Sequence, residues 1–168
     1  HAIEVLDGGV QSTIQDYPGM IGYWFVGVPP CGPMDNYSFR IGNRILGNKE
    51  DAPGIEMTLR GGSYRFRTTV SFCLTGADMQ ATLDGEPISM YQVVHASPMQ
   101  VLKLKDCKVG MRTYLLVARG FDMPKIMGSS STFVDGKFGG HNGRTLRTGD
   151  VLRLHDNCLV DSIASFPE

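Results

Sequence analysis

The sequence carries almost no net charge, because its 16 lysines and arginines are balanced by 17 aspartates and glutamates. A surplus of basic residues is the usual sign of nucleic-acid binding, and clustered Lys and Arg are typical of proteins that bind anionic membranes. Neither pattern is present here. The apolar runs are also too short to cross a bilayer. We therefore expect neither nucleic acid nor a membrane among the partners.

Several common site signatures are missing as well. The four cysteines, Cys31, Cys73, Cys107 and Cys158, stand far apart. Without a C-x-x-C pair there is no zinc or dithiol motif, so we expect no metal, reduced thiols and a cytoplasmic location. The glycine fingerprints of nucleotide binding and the G-x-S-x-G elbow of hydrolases do not occur either.

What the sequence does contain is glycine, proline and short apolar segments. Its 21 glycines and 9 prolines separate these segments, as turn residues do in mostly β proteins. Asp84 and Gly85 in addition predict a tight hairpin turn. The candidate strands are Ile3–Leu6, Gly22–Val28, Gly54–Leu59, Ser63–Arg67, Val70–Leu74, Gln80–Leu83, Met99–Leu104, Arg112–Ala118 and Val151–Leu154.

One segment has the pattern of an amphipathic helix. Asp35 is a suitable N-cap, Phe39 and Ile45 fall on one apolar stripe, and Gly47 is a typical residue to end a helix. We therefore predict one main helix from about residue 35 to residue 47.

Three stretches are rich in glycine and small polar residues, and such loops on a β scaffold often carry a site. They are GGVQSTIQDYPG at residues 8–19, VPPCGPMD at residues 28–35, and the long segment from residue 128 to residue 144. In the last of these, Gly139–Arg144 could bind an anion through backbone N–H groups and the Arg144 guanidinium. The alternative is a hairpin turn at Asn142 and Gly143.

The segment from residue 5 to residue 48 reads VLDGGVQSTIQDYPGMIGYWFVGVPPCGPMDNYSFRIGNRILGN. It resembles the beginning of the allophanate hydrolase subunit 2 family. The resemblance covers nearly all of residues 2–156 and continues through Glu56–Thr58, Leu74–Ala77, Gly128–Phe133 and Phe138–Asp150.

This resemblance implies a mostly β fold, an antiparallel cyclophilin-like β-barrel with one main α-helix. The barrel domain is expected over residues 1–156, with a tail of unclear role at 157–168. The implied activity is the carboxyltransferase of a biotin-dependent urea carboxylase, which transfers a carboxyl group to urea and forms allophanate. The family also contains a 5-oxoprolinase subunit and a non-catalytic antagonist of a sporulation kinase inhibitor, and both remain alternatives.

The resemblance also implies cofactors and partners outside this chain. We expect the chain to be the first half of the carboxyltransferase, inactive alone. Its partners would be the second half, a biotin carrier domain and a biotin carboxylase domain. Biotin would sit on the carrier, and ATP, bicarbonate and Mg would be used by the carboxylase domain.

Within this resemblance, Gln15, Asp16 and Asp35 are the expected catalytic residues, because amide and carboxylate oxygens accept hydrogen bonds from urea. The alternative is that Gln15 and Asp16 only shape the following turn and that Asp35 only caps the helix. The residues expected to bind urea or biotin are Gln11, Thr13, Asn43, Ser131, Gly139, Gly140, His141 and Arg144.

Overall fold

The structure, a computed structural model, describes residues 1–22, 31–108, 110–126, 128–132, 134, 137 and 139–160. The predicted strand Gly22–Val28 lies outside these residues except for Gly22. The strands of the described part are β1 (Ala2–Asp7), β2 (Gln11–Gln15), β3 (Gly54–Thr58), β4 (Ser63–Phe66), β5 (Val70–Gly76), β6 (Thr82–Leu83), β7 (Glu86–Pro87), β8 (Val94–Ala96), β9 (Val101–Lys103), β10 (Arg112–Val117) and β11 (Val151–Arg153).

These strands pair into two antiparallel sheets. The first sheet has the order β11-β1-β4-β9-β6-β7, and the second has the order β2-β3-β10-β5-β8. Together with a single helix in the described residues, this arrangement confirms the mostly β prediction.

The second sheet is buried on both faces. Because alternate side chains of a strand point to opposite faces, Leu115 of β10 packs in the core shared with the first sheet, whereas its neighbour Leu116 packs beside Phe39 of the helix. This double burial explains why the second half of β10, from Leu115 to Val117, is apolar at every position. It also determines which polar side chains of the sheet lie close to the helix.

The helix, α1, spans Asn36–Ile45 and begins as predicted. The Asp35 carboxylate accepts a hydrogen bond from Ser38 N at 3.1 Å and another from the Ser38 hydroxyl. Such N-cap bonds satisfy backbone donors that have no partner inside the helix. At the other end, Gly47 has a φ of +74°, the left-handed conformation that commonly ends helices.

Three strands, β2, β7 and β8, were not among the predicted ones. In β2 the sequence QSTIQ contains a single apolar residue, Ile14, so it lacks the alternation that predicts strands. It is a strand because it pairs with β3, from Gln11 opposite Thr58 to Gln15 opposite Gly54. The predicted turn at Asp84 and Gly85 is confirmed as the connection between β6 and β7.

The residues after position 156 include part of the core. Cys158 is buried, its carbonyl accepts from Ser71 N at 2.8 Å, and Val160 N donates to the Ser71 hydroxyl at 3.0 Å. The domain boundary near residue 156 stays a prediction. Within the described residues, no helix has the length and apolar character needed to cross a membrane.

Candidate functional site

A row of polar side chains crosses the face of the second sheet that α1 covers. Thr13 lies opposite Glu56, Glu56 opposite Tyr114, and Tyr114 opposite Thr75. All four are buried. Four neighbouring strands therefore place a carboxylate and a phenol at the centre of an otherwise largely apolar sheet, beneath the start of α1.

Glu56 connects several parts of this face. Its Oε2 accepts a hydrogen bond from the Tyr114 hydroxyl and another from Met34 N, both at 2.8 Å. Its Oε1 lies 3.7 Å from Arg112 Nε, close enough for an ion pair. Buried charges need such partners, since desolvation without them is costly.

Tyr114 links Glu56 to the helix cap. While its hydroxyl donates to Glu56, the same oxygen accepts a hydrogen bond from Asp35 N at 2.8 Å. Burial and the neighbouring Glu56 carboxylate together raise the pKa of Tyr114 well above its usual range. The phenol therefore stays protonated and acts as a fixed donor that orients the residues preceding α1.

A cavity of about 430 Å³ opens beside this network, and we call it the helix-start cavity. Its lining includes Asp35 and Ser38 at the start of α1. Arg112, Tyr91 and the exposed Met111 also line it. Asp35, one of the expected catalytic residues, thus lines a cavity that also holds a guanidinium.

Two further expected residues lie on the same sheet face. Gln15 is 6% exposed, and its Nε2 donates to the Thr13 hydroxyl at 2.9 Å. Its Oε1 has no hydrogen-bond partner among the described residues. Buried polar atoms are rarely left unsatisfied, so this acceptor is a candidate contact for a ligand or for water. Gln11, at the other end of β2, is exposed.

Asp16 has a different setting. It is 3% exposed, and its carboxylate accepts hydrogen bonds from Ser130 N at 2.7 Å, from the Ser131 hydroxyl at 3.0 Å and from the Ser129 hydroxyl. Ser131, another expected site residue, also accepts from Asp16 N at 2.9 Å. These contacts favour the view that Asp16 anchors the serine segment to the end of β2.

Gly139 and Gly140 pack against the same segment. A Cβ atom at Gly139 would lie 2.1 Å from Ser131 O, and one at Gly140 would lie 2.0 Å from the Thr132 hydroxyl. Both glycines have positive φ angles. Close packing and backbone conformation are thus sufficient reasons for glycine at these positions. The predicted turn is closed by a hydrogen bond from Gly143 N to Gly139 O, and none of the described residues next to it belongs to a strand.

A second cavity, of about 580 Å³, lies beside this turn, and we call it the glycine-turn cavity. Its lining includes Gly139, Gly140 and His141, together with Arg153 and Asp122. Of the expected residues, Asp35 thus lines the helix-start cavity, and Gly139, Gly140 and His141 line the glycine-turn cavity.

Arg144 is engaged internally. Its guanidinium makes a bidentate pair with Asp150, with both N–O distances 2.7 Å, and donates to Thr145 O at 2.9 Å. The hydrogen bonds from Arg144 lower the pKa of Asp150 to about 2, with help from Arg147 N and His141. His141 Nε2 lies 3.5 Å from the same carboxylate.

Asn43, the last expected site residue, is fully buried. Its amide nitrogen donates to the carbonyls of Ala52 and Glu50, at 3.0 and 3.3 Å, and its oxygen accepts from Asn48 Nδ2 at 3.0 Å. These bonds hold the loop after α1 against the helix. Neither of the two cavities described above includes Asn43 in its lining.

Sequence reasoning missed Arg112 and Tyr114 and assigned no role to Glu56. A signal was available, because Glu56 interrupts the apolar strand GIEMT, and buried carboxylates are rare without a partner. The partners could not be identified from the sequence, since they lie on β10, more than 50 residues later.

Comparison with known families gives one match over most of the chain. The family of carboxyltransferase domains, subdomains A and B, matches residues 26–162. The urea amidolyase of Saccharomyces cerevisiae is 45% identical over 167 residues, which are 99% of this chain and 9% of that protein. A 5-oxoprolinase subunit of Haemophilus influenzae is 38% identical over 98% of this chain and 53% of that relative.

Solved structures with a similar fold include the same kinds of protein. The urea amidolyase of Kluyveromyces lactis superimposes with a TM-score of 0.90 and 42% identity, over 96% of this chain and 10% of that protein. The urea carboxylase of the same yeast gives the same TM-score and identity, over 14% of its length. The chain therefore spans about a tenth of the length of its urea-processing yeast relatives.

Proposed function

Because the chain belongs to the family of carboxyltransferase domains, we propose that it forms part of the carboxyltransferase of a biotin-dependent urea carboxylase. The reaction would transfer a carboxyl group to a urea nitrogen and yield allophanate. Support comes from the higher identity to the yeast urea amidolyase, 45%, than to the bacterial 5-oxoprolinase relative, 38%.

The observation that carries the proposal is the helix-start cavity. Asp35 accepts two hydrogen bonds from Ser38, and its two oxygens keep further lone pairs for an N–H donor of a ligand. Urea is neutral, planar and rich in N–H groups. A carboxylate held by a helix cap is suited to orient one urea nitrogen toward the incoming carbon.

The donor set of the cavity is compatible with the cofactor chemistry. When bound, carboxybiotin supplies the carboxyl group that becomes joined to urea. This group is anionic, and the cavity contains Arg112, whose Nε has no hydrogen-bond partner among the described residues. The lining thus offers an acceptor for urea at Asp35 and a cation for a carboxyl group at Arg112. On the sheet face that α1 covers, Gln15 Oε1 is a further acceptor.

The biotin cofactor and its carboxylation would be supplied by domains outside these 168 residues. We propose a second half of the carboxyltransferase, a biotin carrier domain and a biotin carboxylase domain that uses ATP, bicarbonate and Mg, all in the cytoplasm. The yeast relatives are much longer than this chain, which supports such an assembly. On this view the 168 residues alone form no allophanate.

The test is urea-dependent allophanate formation by the full-length protein and by its Asp35→Asn variant. Asparagine caps helices as well as aspartate does, so α1 should remain intact. Loss of the carboxylate should lower kcat/KM for urea about 100-fold. Asp51→Asn, an exposed change of the same kind, is the control and should leave the rate unchanged.

Two results would contradict the proposal. ATP hydrolysis that depends on 5-oxoproline and not on urea would favour the oxoprolinase alternative. Turnover with neither compound would favour a binding module of the sporulation-antagonist type.

A further inference from the structure

Two arginines with equally exposed side chains differ in the hydrogen bonds that they make. The side chains of Arg112 and Arg144 are both 25% exposed. The Arg144 guanidinium makes three hydrogen bonds, whereas the buried Nε of Arg112 has no hydrogen-bond partner among the described residues. A guanidinium has five N–H donors, and leaving them unused in a partly buried place costs stability. Arg112 therefore keeps an unused N–H donor and lines a cavity that could hold a ligand.

Glu56 keeps Arg112 in place without using its donors. The two side chains are 3.7 Å apart, which is an ion-pair distance and longer than a hydrogen bond. Glu56 is itself fixed by the Tyr114 hydroxyl and by Met34 N. The guanidinium is thus held next to a fixed carboxylate, and Arg112 lines the helix-start cavity.

Another residue that lines the helix-start cavity has the complementary character. Asp35 offers carboxylate oxygens, so the lining of the cavity contains both a cation and an acceptor. A ligand that fits both has a carboxylate at one end and an amide NH₂ at the other. Urea has the NH₂ but no carboxylate, whereas allophanate, H₂N–CO–NH–COO⁻, has both.

We infer that Arg112 binds the carboxylate of the carboxylated urea, with Glu56 as the residue that positions its guanidinium. This inference rests on the proposed function. Arg112 then contacts a charge that is absent from urea and present in the product. Such a contact stabilises the later part of the reaction and adds little to the binding of urea.

The kinetic expectation follows directly. In the full-length enzyme, Arg112→Gln should lower kcat about 100-fold while the KM for urea changes less than about threefold. Arg112→Lys keeps the charge but loses the two-pronged geometry, so its kcat should lie between those of the wild type and Arg112→Gln. A merely structural role would instead lower the melting temperature and change both constants.

A binding measurement separates the inference from catalysis. Malonamate has the shape of allophanate with CH₂ in place of NH, and malonamide is its neutral counterpart. By calorimetry, the full-length protein should bind malonamate at least about tenfold more tightly than malonamide, the preference expected of a charge-assisted contact. Arg112→Gln should abolish this preference. Arg153→Gln removes the same charge from the glycine-turn cavity and should keep it.

Each outcome has a clear meaning. Equal binding of the two probes by the wild type, or a preference that survives in Arg112→Gln, overturns the inference. Loss of the preference in Arg153→Gln alone would move the carboxylate site to the glycine-turn cavity and overturn it as well. A retained malonamate preference without urea turnover would overturn the proposed function and leave the Arg112 site standing.

Discussion

The helix-start cavity and the region around Asp150 each place an arginine beside a buried carboxylate. Arg144 and Asp150 form a bidentate pair at 2.7 Å, and Arg147 N adds a third donor to the carboxylate at 3.0 Å. Arg112 and Glu56 stand 3.7 Å apart, and the Glu56 hydrogen bonds go to other groups. An arginine and a carboxylate are thus joined by hydrogen bonds in one region and stand at ion-pair distance in the other.

The difference shows how to separate structural charges from binding charges in this fold. A charged group whose hydrogen bonds are all made internally stabilises the chain, and a ligand would have to displace those bonds. A charged group held by one partner, with donors directed elsewhere, is prepared for a ligand. By this criterion Asp16 and Arg144 belong to the first kind and Arg112 to the second.

The largest effect expected from this comparison is at Asp16. Asp16→Ala leaves Ser129, Ser130 and Ser131 without their acceptor, so we expect a loss of about 4 kcal/mol in the free energy of unfolding. Activity and stability should fall together, measured by chemical denaturation and turnover. Asp122→Ala, at an exposed position, should change stability by less than about 0.5 kcal/mol. Full stability with lost activity would place Asp16 among the catalytic residues instead.

A smaller effect is expected at Asp150, and it should depend on pH. Arg144 lowers the pKa of this carboxyl from 3.8 to about 2, so its stabilisation is complete above about pH 4 and is lost as the pH falls toward about 2. Asp150→Asn should therefore cost about 2 kcal/mol at neutral pH. The difference from wild type should shrink as the pH falls through this window. A difference that stays constant across it would show that the pair is not linked to stability.

The smallest effect is expected at the helix-start cavity. Tyr114→Phe removes one hydroxyl that donates to Glu56 and accepts from Asp35 N, which should cost about 1 kcal/mol of stability. Because Glu56 and the cap are then less well fixed, kcat should fall about tenfold. Tyr37→Phe, on the exposed side of α1, is the control. An unchanged kcat in Tyr114→Phe would show that the row of buried polar side chains on the sheet does not affect turnover at the helix-start cavity.

Much of the fold was predictable where the signal is local. The cap at Asp35, the end of α1 near Gly47 and the turn at Asp84 depend on residues within a few positions of one another. β2 was missed because QSTIQ has no apolar alternation and becomes a strand through pairing with β3, about 40 residues away. Local patterns report local preferences, whereas strand pairing is a long-range contact.

The residues of the candidate site also separate into those that the sequence predicted and those that only the tertiary structure identified. From the sequence alone it followed that the chain is mostly β, that Asp35 begins the helix, and that polar residues collect in GGVQSTIQDYPG. Only the tertiary structure decided that three serines donate hydrogen bonds to Asp16 and that Arg144 is paired with Asp150. It also decided that Arg112 lines a cavity. The physical reason is that a charge becomes structural or functional according to which donors and acceptors surround it, and strand register sets those neighbours across distances that no local pattern records.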